Sequence, residues 1–288
     1  MKAIYKRELK GLFSNMTGYV FIAFILLMAG IYSIALNFTY GYPNFEYALS
    51  NMSFIFILVV PILTMRIFSE EKHNRTDQLL YYLPVKVPSI VLGKYLAMLT
   101  VYAIPTVFMM LYPVILSMFG TVNFKSAYSA QLGFFFLGAA LIAIGMFVSS
   151  LTESQIISCV VSLGAILLSY LMTSITGLLP TTASGSLFCY ILLFIAIALI
   201  IYFVTKNYFI AAVLAFLGTV GVSVIYFTDS SLLENSFPSL LNNLALFDVF
   251  YNNFVNGMLD MTAIIYYFTI VFVFSFLTVQ TVEKKRWS

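Results

Sequence analysis

Long apolar runs broken by short polar segments dominate the chain. A membrane-crossing helix needs roughly 20 predominantly apolar residues. Eight stretches qualify: 18–38, 51–68, 95–118, 131–151, 155–176, 186–204, 208–227 and 263–282. Two boundaries are thin. Lys206-Asn207 divides one apolar run, and Thr152-Glu153-Ser154 divides another. The pattern predicts an all-α polytopic membrane helix bundle of about eight spans; six spans with extra or re-entrant helices stays open beside it. Pro61, Pro105 and Pro113 fall inside spans and predict local kinks. Ala139 and Ala143, with Gly138 and Gly145 nearby, suit close helix packing, more simply within the chain than between chains.

Three segments outside the spans carry their own pattern. In 2–16, Tyr5, Leu9, Leu12, Phe13 and Met16 recur at helical spacing, and Lys2, Lys6, Arg7 and Lys10 take the other side. This fits an interfacial amphipathic helix facing anionic lipid, or a plain basic anchor. In the polar loop 69–89, Thr76 can cap a short helix, Asp77 favours its N-terminal dipole, Leu79, Leu80 and Leu83 give it an apolar side, and Pro84 ends it. Such a helix can dock a partner; the simpler reading is a solvated connection. In 228–262, Leu240, Leu244, Phe247, Tyr251, Phe254 and Met258 recur every three or four positions among asparagines, predicting one or two outer amphipathic helices with Gly257 as a terminator. No repeat or soluble domain interrupts 1–288, which reads as one transmembrane domain.

Composition agrees with this reading. The chain is 62% hydrophobic and 9% charged, against about 45–50% and about 25% in soluble domains. Charge fixes the orientation. Thirteen of the 14 Lys and Arg fall on one side if the N-terminus is inside, leaving Lys125 outside. The positive-inside rule then places both termini in the cytoplasm. Glu46, Asp229, Glu234, Asp248 and Asp260 are assigned to outer loops. The first apolar run is long for a signal sequence and lacks a small-x-small cleavage site, so it reads as a retained span. A net charge of +3 is too small and scattered for nucleic-acid binding. Cys159 and Cys189 lie in apolar runs as packing residues, and a single histidine offers no histidine-based metal site.

Catalytic patterns are lacking. Gly93-Lys94 is followed by Tyr95 where a phosphate-binding loop needs Ser or Thr. No zinc-protease or serine-hydrolase motif occurs. Span centres hold no Asp, Glu, Lys, Arg or His, which disfavours an ion-coupled carrier.

Four stretches together resemble the permease subunits of exporter-type ATP-binding-cassette transporters, in the branch that includes gliding-motility and copper-maturation permeases. They are RELKGLFSNMTGYVF (7–21), PILTMRIFSEEKHNRTDQLLYYLPVKVPSIVLGKYLA (61–97), GMFVSSLTESQI (145–156) and the segment from LALFDVFYNNFVNGMLDMTAIIYY to VEKKRW (244–287). Two departures stand out: Arg75 occupies a position usually held by Gly, and many relatives have six spans.

The resemblance implies a chain that is not itself an enzyme and holds no cofactor, with ATP and Mg bound by a separate ABC ATPase present in two copies. A second permease chain, identical or homologous, completes the unit in a bacterial plasma membrane. It implies ATPase-coupling roles for Glu70, Glu71, Thr76, Asp77, Leu79 and Leu80, and for Ser149, Ser150, Thr152, Glu153 and Gln155. The interfacial helix is represented by Tyr5, Lys6, Arg7, Leu9, Lys10 and Phe13. The uncharged span interior suits a peptide, antibiotic or lipid moved outward. The rival readings are an ATPase-driven envelope machine that moves no solute, a secondary carrier and a membrane enzyme.

Overall fold

The structure is a computed structural model describing residues 1–41, 43–76, 86–205 and 208–287. Every element among them is helical. The helices are α1 (Lys2–Ser14), α2 (Thr17–Tyr32), α3 (Phe45–Met52), α4 (Phe56–Thr64), α5 (Arg66–His73), α6 (Val87–Met109), α7 (Tyr112–Leu116), α8 (Phe124–Leu151), α9 (Gln155–Thr176), α10 (Ala183–Thr205), α11 (Tyr208–Thr228), α12 (Ser236–Asn242), α13 (Leu246–Val249) and α14 (Met261–Trp287).

Each of the eight apolar runs lies mainly on helix, with turns at Met65, at Met110-Leu111 and at Ser117-Met118. Among the described residues, six stretches are long and apolar enough to cross a membrane: Thr17–Phe38, Phe45–His73, Val87–Leu116, Phe124–Leu151, Gln155–Thr176 and Met261–Lys285. Two shorter apolar helices, Ala183–Leu199 and Ala215–Thr228, lie within α10 and α11. The Lys206-Asn207 boundary between them falls outside the described residues. The helix expected around 76–84, with Asp77, Leu79, Leu80, Leu83 and Pro84, also has all but its first residue outside them.

The chain forms two compact units, one of residues 1–168 and 247–288, the other of 169–246. In the first, α8 is the central helix, with 78% of its most apolar window buried. Apolar surface alone does not drive helices together in lipid, so close packing must do so. Glycines make that possible. A Cβ at Gly138 would overlap the ring of Tyr102, one at Gly145 would overlap Thr64, and one at Gly133 would overlap Phe254. Tyr102 is wholly buried and donates to the Phe134 carbonyl at 2.6 Å. The small residues of this helix thus serve packing within the chain.

The prolines mark joints. Pro61 lies within α4 and cannot donate a helical hydrogen bond, and the helix ends three residues later before resuming as α5. Pro105 lies inside α6; Pro113 sits in the first turn of α7, where a missing N–H is tolerated. Phe250–Val255 is a wide π-type turn, and Gly257 follows at φ +76°.

The second unit contains α10 and α11. Phe194 occupies the space a Cβ at Gly218 would need. Ser169 donates to the Leu244 carbonyl at 3.0 Å and accepts from the Leu246 amide at 3.1 Å. Thr176 bonds Asn242 at 2.7 Å. The 228–262 segment is several short helical pieces: left-handed Asn235 precedes α12, whose first turn holds Pro238, and turns at Asn243-Leu244 and Asn256-Gly257 separate the pieces that follow.

Candidate functional site: the basic end of the first unit

Of the predicted coupling residues, Glu70, Glu71, Thr76, Ser149, Ser150, Thr152, Glu153 and Gln155 lie at the lysine- and arginine-rich end of the first unit, where α1, α5, α6 and the end of α8 meet; Asp77, Leu79 and Leu80 fall outside the described residues. Sequence reading places Lys94 in a loop before its span. The structure places it two turns inside α6, wholly buried. A buried ammonium needs acceptors for all three protons. Lys94 Nζ finds Glu71 Oε2 at 2.8 Å, Glu8 Oε1 at 3.3 Å and the Ile67 carbonyl at 2.9 Å. Phe68 presents its ring 5.1 Å away, adding a cation–π contact. Arg7 Nη2 lies 2.5 Å from both Glu8 Oε1 and Glu71 Oε1. Burial opposes the Arg7 charge, but hydrogen bonds and attraction from Glu8 and Glu71 outweigh it and hold its pKa above the ordinary arginine value. Two cations and two carboxylates thus close on one another and tie α1 to both stems of the 74–86 segment.

Ser149 makes the second tie. Its hydroxyl donates to the Met65 carbonyl at 3.0 Å and accepts from the amides of Phe68 and Ser69 at 3.2 and 3.3 Å. It thereby satisfies backbone groups left open where α4 breaks into α5. Lys72 is buried and donates to the Ser150 carbonyl. Ser149 and Ser150 are both fully buried and act as a clamp.

Glu71 also faces inward. Glu70 is half-buried and lines a small hollow of about 120 Å³ between α1 and α5, with Glu8 and Arg66. Thr76 is exposed, and its hydroxyl donates to the Glu71 carbonyl.

The Arg75 departure has a backbone explanation. The Arg75 amide donates to Lys72 O at 3.1 Å and the Thr76 amide to Glu71 O at 2.9 Å. This is the Schellman ending, whose turning residue is usually Gly. Arg75 adopts it at φ +55°, where a Cβ costs roughly 1–2 kcal/mol. Arg75→Gly is therefore expected to raise thermal stability in detergent by about 1 kcal/mol. An unchanged or lowered midpoint would contradict this account of the turn.

The corner between α8 and α9 is the open part. Ser154 caps α9, accepting from the Ile157 amide at 3.5 Å. Thr152 is half-buried and donates to the Ser154 carbonyl. Glu153 is exposed and pairs with Lys285 at 3.4 Å, a surface contact of small energetic value. His73, Glu153, Ser154, Gln155 and Ile156 line an open hollow of about 370 Å³, and Ile156 is 77% exposed.

On α1, Tyr5 donates to Thr100 Oγ1 at 3.0 Å, since the Thr100 proton goes to Leu96 O. Leu9 is half-buried, as is Phe13, which meets Tyr19 edge-on at 5.0 Å. Lys6 and Lys10 are exposed. At the opposite end, Glu46 differs from its outer-loop assignment: it lies in the first turn of α3, buried, and accepts from Ser126 Oγ at 3.1 Å.

Sequence reading missed the four-charge cluster. Its signal was a lysine, Lys94, flanked by Gly93 and Tyr95 inside an apolar helix, with acids on two other polar segments.

These features define a multi-pass helical membrane protein with an ordered polar end. A family profile described as ABC-2 family transporter protein matches residues 37–187, just over half the chain. The chain belongs to this family, whose members are membrane components that usually work with an ABC ATPase and are not that ATPase. The matched segment includes both stems of the 74–86 segment and the 149–156 corner, and stops just inside α10. No curated protein and no solved structure matches the chain.

Proposed function

We propose that this chain is the permease subunit of an ATP-driven exporter, and that a separate ABC ATPase docks on its basic end. The observation that carries the reading is the division of the predicted coupling residues. Glu71, Ser149 and Ser150 brace the stems of the 74–86 segment, while Thr76, Glu153 and Gln155 remain accessible to a partner, next to the exposed Ile156, which the sequence reading did not single out. Braced stems beside an accessible corner can transmit a push from outside.

The working unit on this reading has two permease chains, identical or homologous, and two ATPases, with ATP and Mg held by the ATPases. The whole of 1–288 acts as one permease domain in a bacterial plasma membrane, both termini cytoplasmic. The α10–α11 pair is an addition to a six-span plan, in keeping with the end of the family match near residue 187. Resemblance to gliding-motility and copper-maturation permeases supports the branch, and the uncharged span centres support a peptide, antibiotic or lipid as substrate. Closure of the ATPases on ATP favours one permease conformation because they bind it better.

The test is purification of tagged full-length chain from its native membranes in mild detergent. Recovery of an ABC ATPase at comparable abundance is expected. Recovery of this chain alone, also after crosslinking, would overturn the reading.

A further inference from the structure

The charges of α1 divide between its two sides. Glu8 is the only acid of the helix, and it is consumed by Arg7 and Lys94. Lys2, Lys6 and Lys10 recur every fourth residue, so they share one face, and all three are exposed. Among the described residues none of them takes part in an ion pair. That face therefore carries positive charge with nothing on the helix to offset it.

The inward side of α1 sets its height. Ile4 packs with Ile90 and against Gly93, and Tyr5 bonds Thr100. Ile90 and Gly93, on which Ile4 rests, lie in the first two turns of the Val87–Leu116 stretch that can cross a membrane. The lysine face is thus level with the first turns of a span. That is where lipid headgroups lie, and a soluble partner approaches from farther out. We propose that Lys2, Lys6 and Lys10 bind anionic phospholipid headgroups of the leaflet in which α1 lies. Arg7 and Glu8, on the same helix, then connect the lipid-anchored α1 to Glu71 and Lys94.

Full-length protein in nanodiscs of phosphatidylcholine, with or without phosphatidylglycerol, tests this. Native mass spectrometry reads retained lipid, and the thermal midpoint reads stability. A ligand that binds only the folded chain raises the midpoint, so phosphatidylglycerol should both stay bound and raise it. Each lysine near an anionic surface is worth about fivefold in binding. The triple variant Lys2→Gln, Lys6→Gln, Lys10→Gln should lose most retained phosphatidylglycerol and its effect on the midpoint. In neutral nanodiscs it should melt like the unaltered chain, and the Lys→Arg triple variant should keep the lipid. Equal retention by the Gln variant, or no response of the unaltered chain to phosphatidylglycerol, would overturn the proposal. So would unchanged lipid retention with weakened ATPase capture, which would assign the lysines to an acidic protein surface.

Discussion

Glu71→Lys is expected to destabilise the first unit by about 3–5 kcal/mol, whereas Glu70→Lys, one residue away, should change it by no more than about 0.5 kcal/mol. The Glu71 carboxylate holds Arg7 at 2.5 Å and Lys94 at 2.8 Å. With lysine there, three cations face the single carboxylate of Glu8, and the Lys94 ammonium has no route to water because it is wholly buried. A buried charge stripped of its partner is among the costlier single changes. The loss is a large share of the roughly 5–15 kcal/mol that holds a typical domain together.

Glu70 lines only a small hollow and makes no ion pair among the described residues. Removing both buried partners together, as Lys94→Met with Glu71→Gln, leaves Arg7 on Glu8 and should recover most of the loss. Thermal unfolding in detergent and membrane yield measure all three variants. A Glu71→Lys chain as stable as the unaltered one would show that the cluster does not brace the loop stems. Any loss of ATPase binding by a Glu71 variant is then to be read through stability first.

The second large effect is expected on partner binding. Ile156→Asp should weaken ATPase retention by about 30-fold or more, the scale of losing an apolar anchor at an interface, with little change in permease stability. Ile156 stands 77% exposed beside the hollow formed by His73, Glu153, Ser154 and Gln155. An isolated chain loses little packing when it is replaced. An acid in the first turn of α9 also suits the positive end of the helix dipole. Ser149, four residues before Glu153 in the same corner, is the contrast. It is buried and fully engaged, so changing it reaches the ATPase only through the fold. Unaltered retention in Ile156→Asp chains of normal stability would remove this corner from the docking surface.

The spans were legible because a bilayer demands long apolar runs, and each such run is mainly helical here. Their ends were less legible. Hydropathy predicts the second span over 51–68, whereas the helical stretch is Phe45–His73; it predicts the third from 95, whereas its helix starts at Val87. Hydropathy marks only the part of a helix in hydrocarbon. The remaining turns keep polar residues because other helices satisfy them. Lys94 and Glu46 both fall in such turns, which explains why each was assigned to a loop.

The residue types of the candidate coupling region are visible in the sequence, but their arrangement is not. Glu70 and Glu71 look alike in sequence, and which one turns inward depends on partners at positions 7, 8 and 94. The clamp by Ser149 depends on a helix break 80 or so residues earlier. Arg75 was recognisable as a departure, and its φ of +55° supplies the reason a glycine is usual there.

The measurement that bears most directly on an ATPase-driven permease is site-specific photo-crosslinking from position 155 in full-length chain in native membranes. The side chain there borders the open hollow and is not part of the brace. The account predicts a single dominant adduct with an ABC ATPase, lost with Ile156→Asp and retained with Glu70→Lys. Adducts only with lipid or with a second copy of this chain, under conditions where the permease is folded, would contradict it.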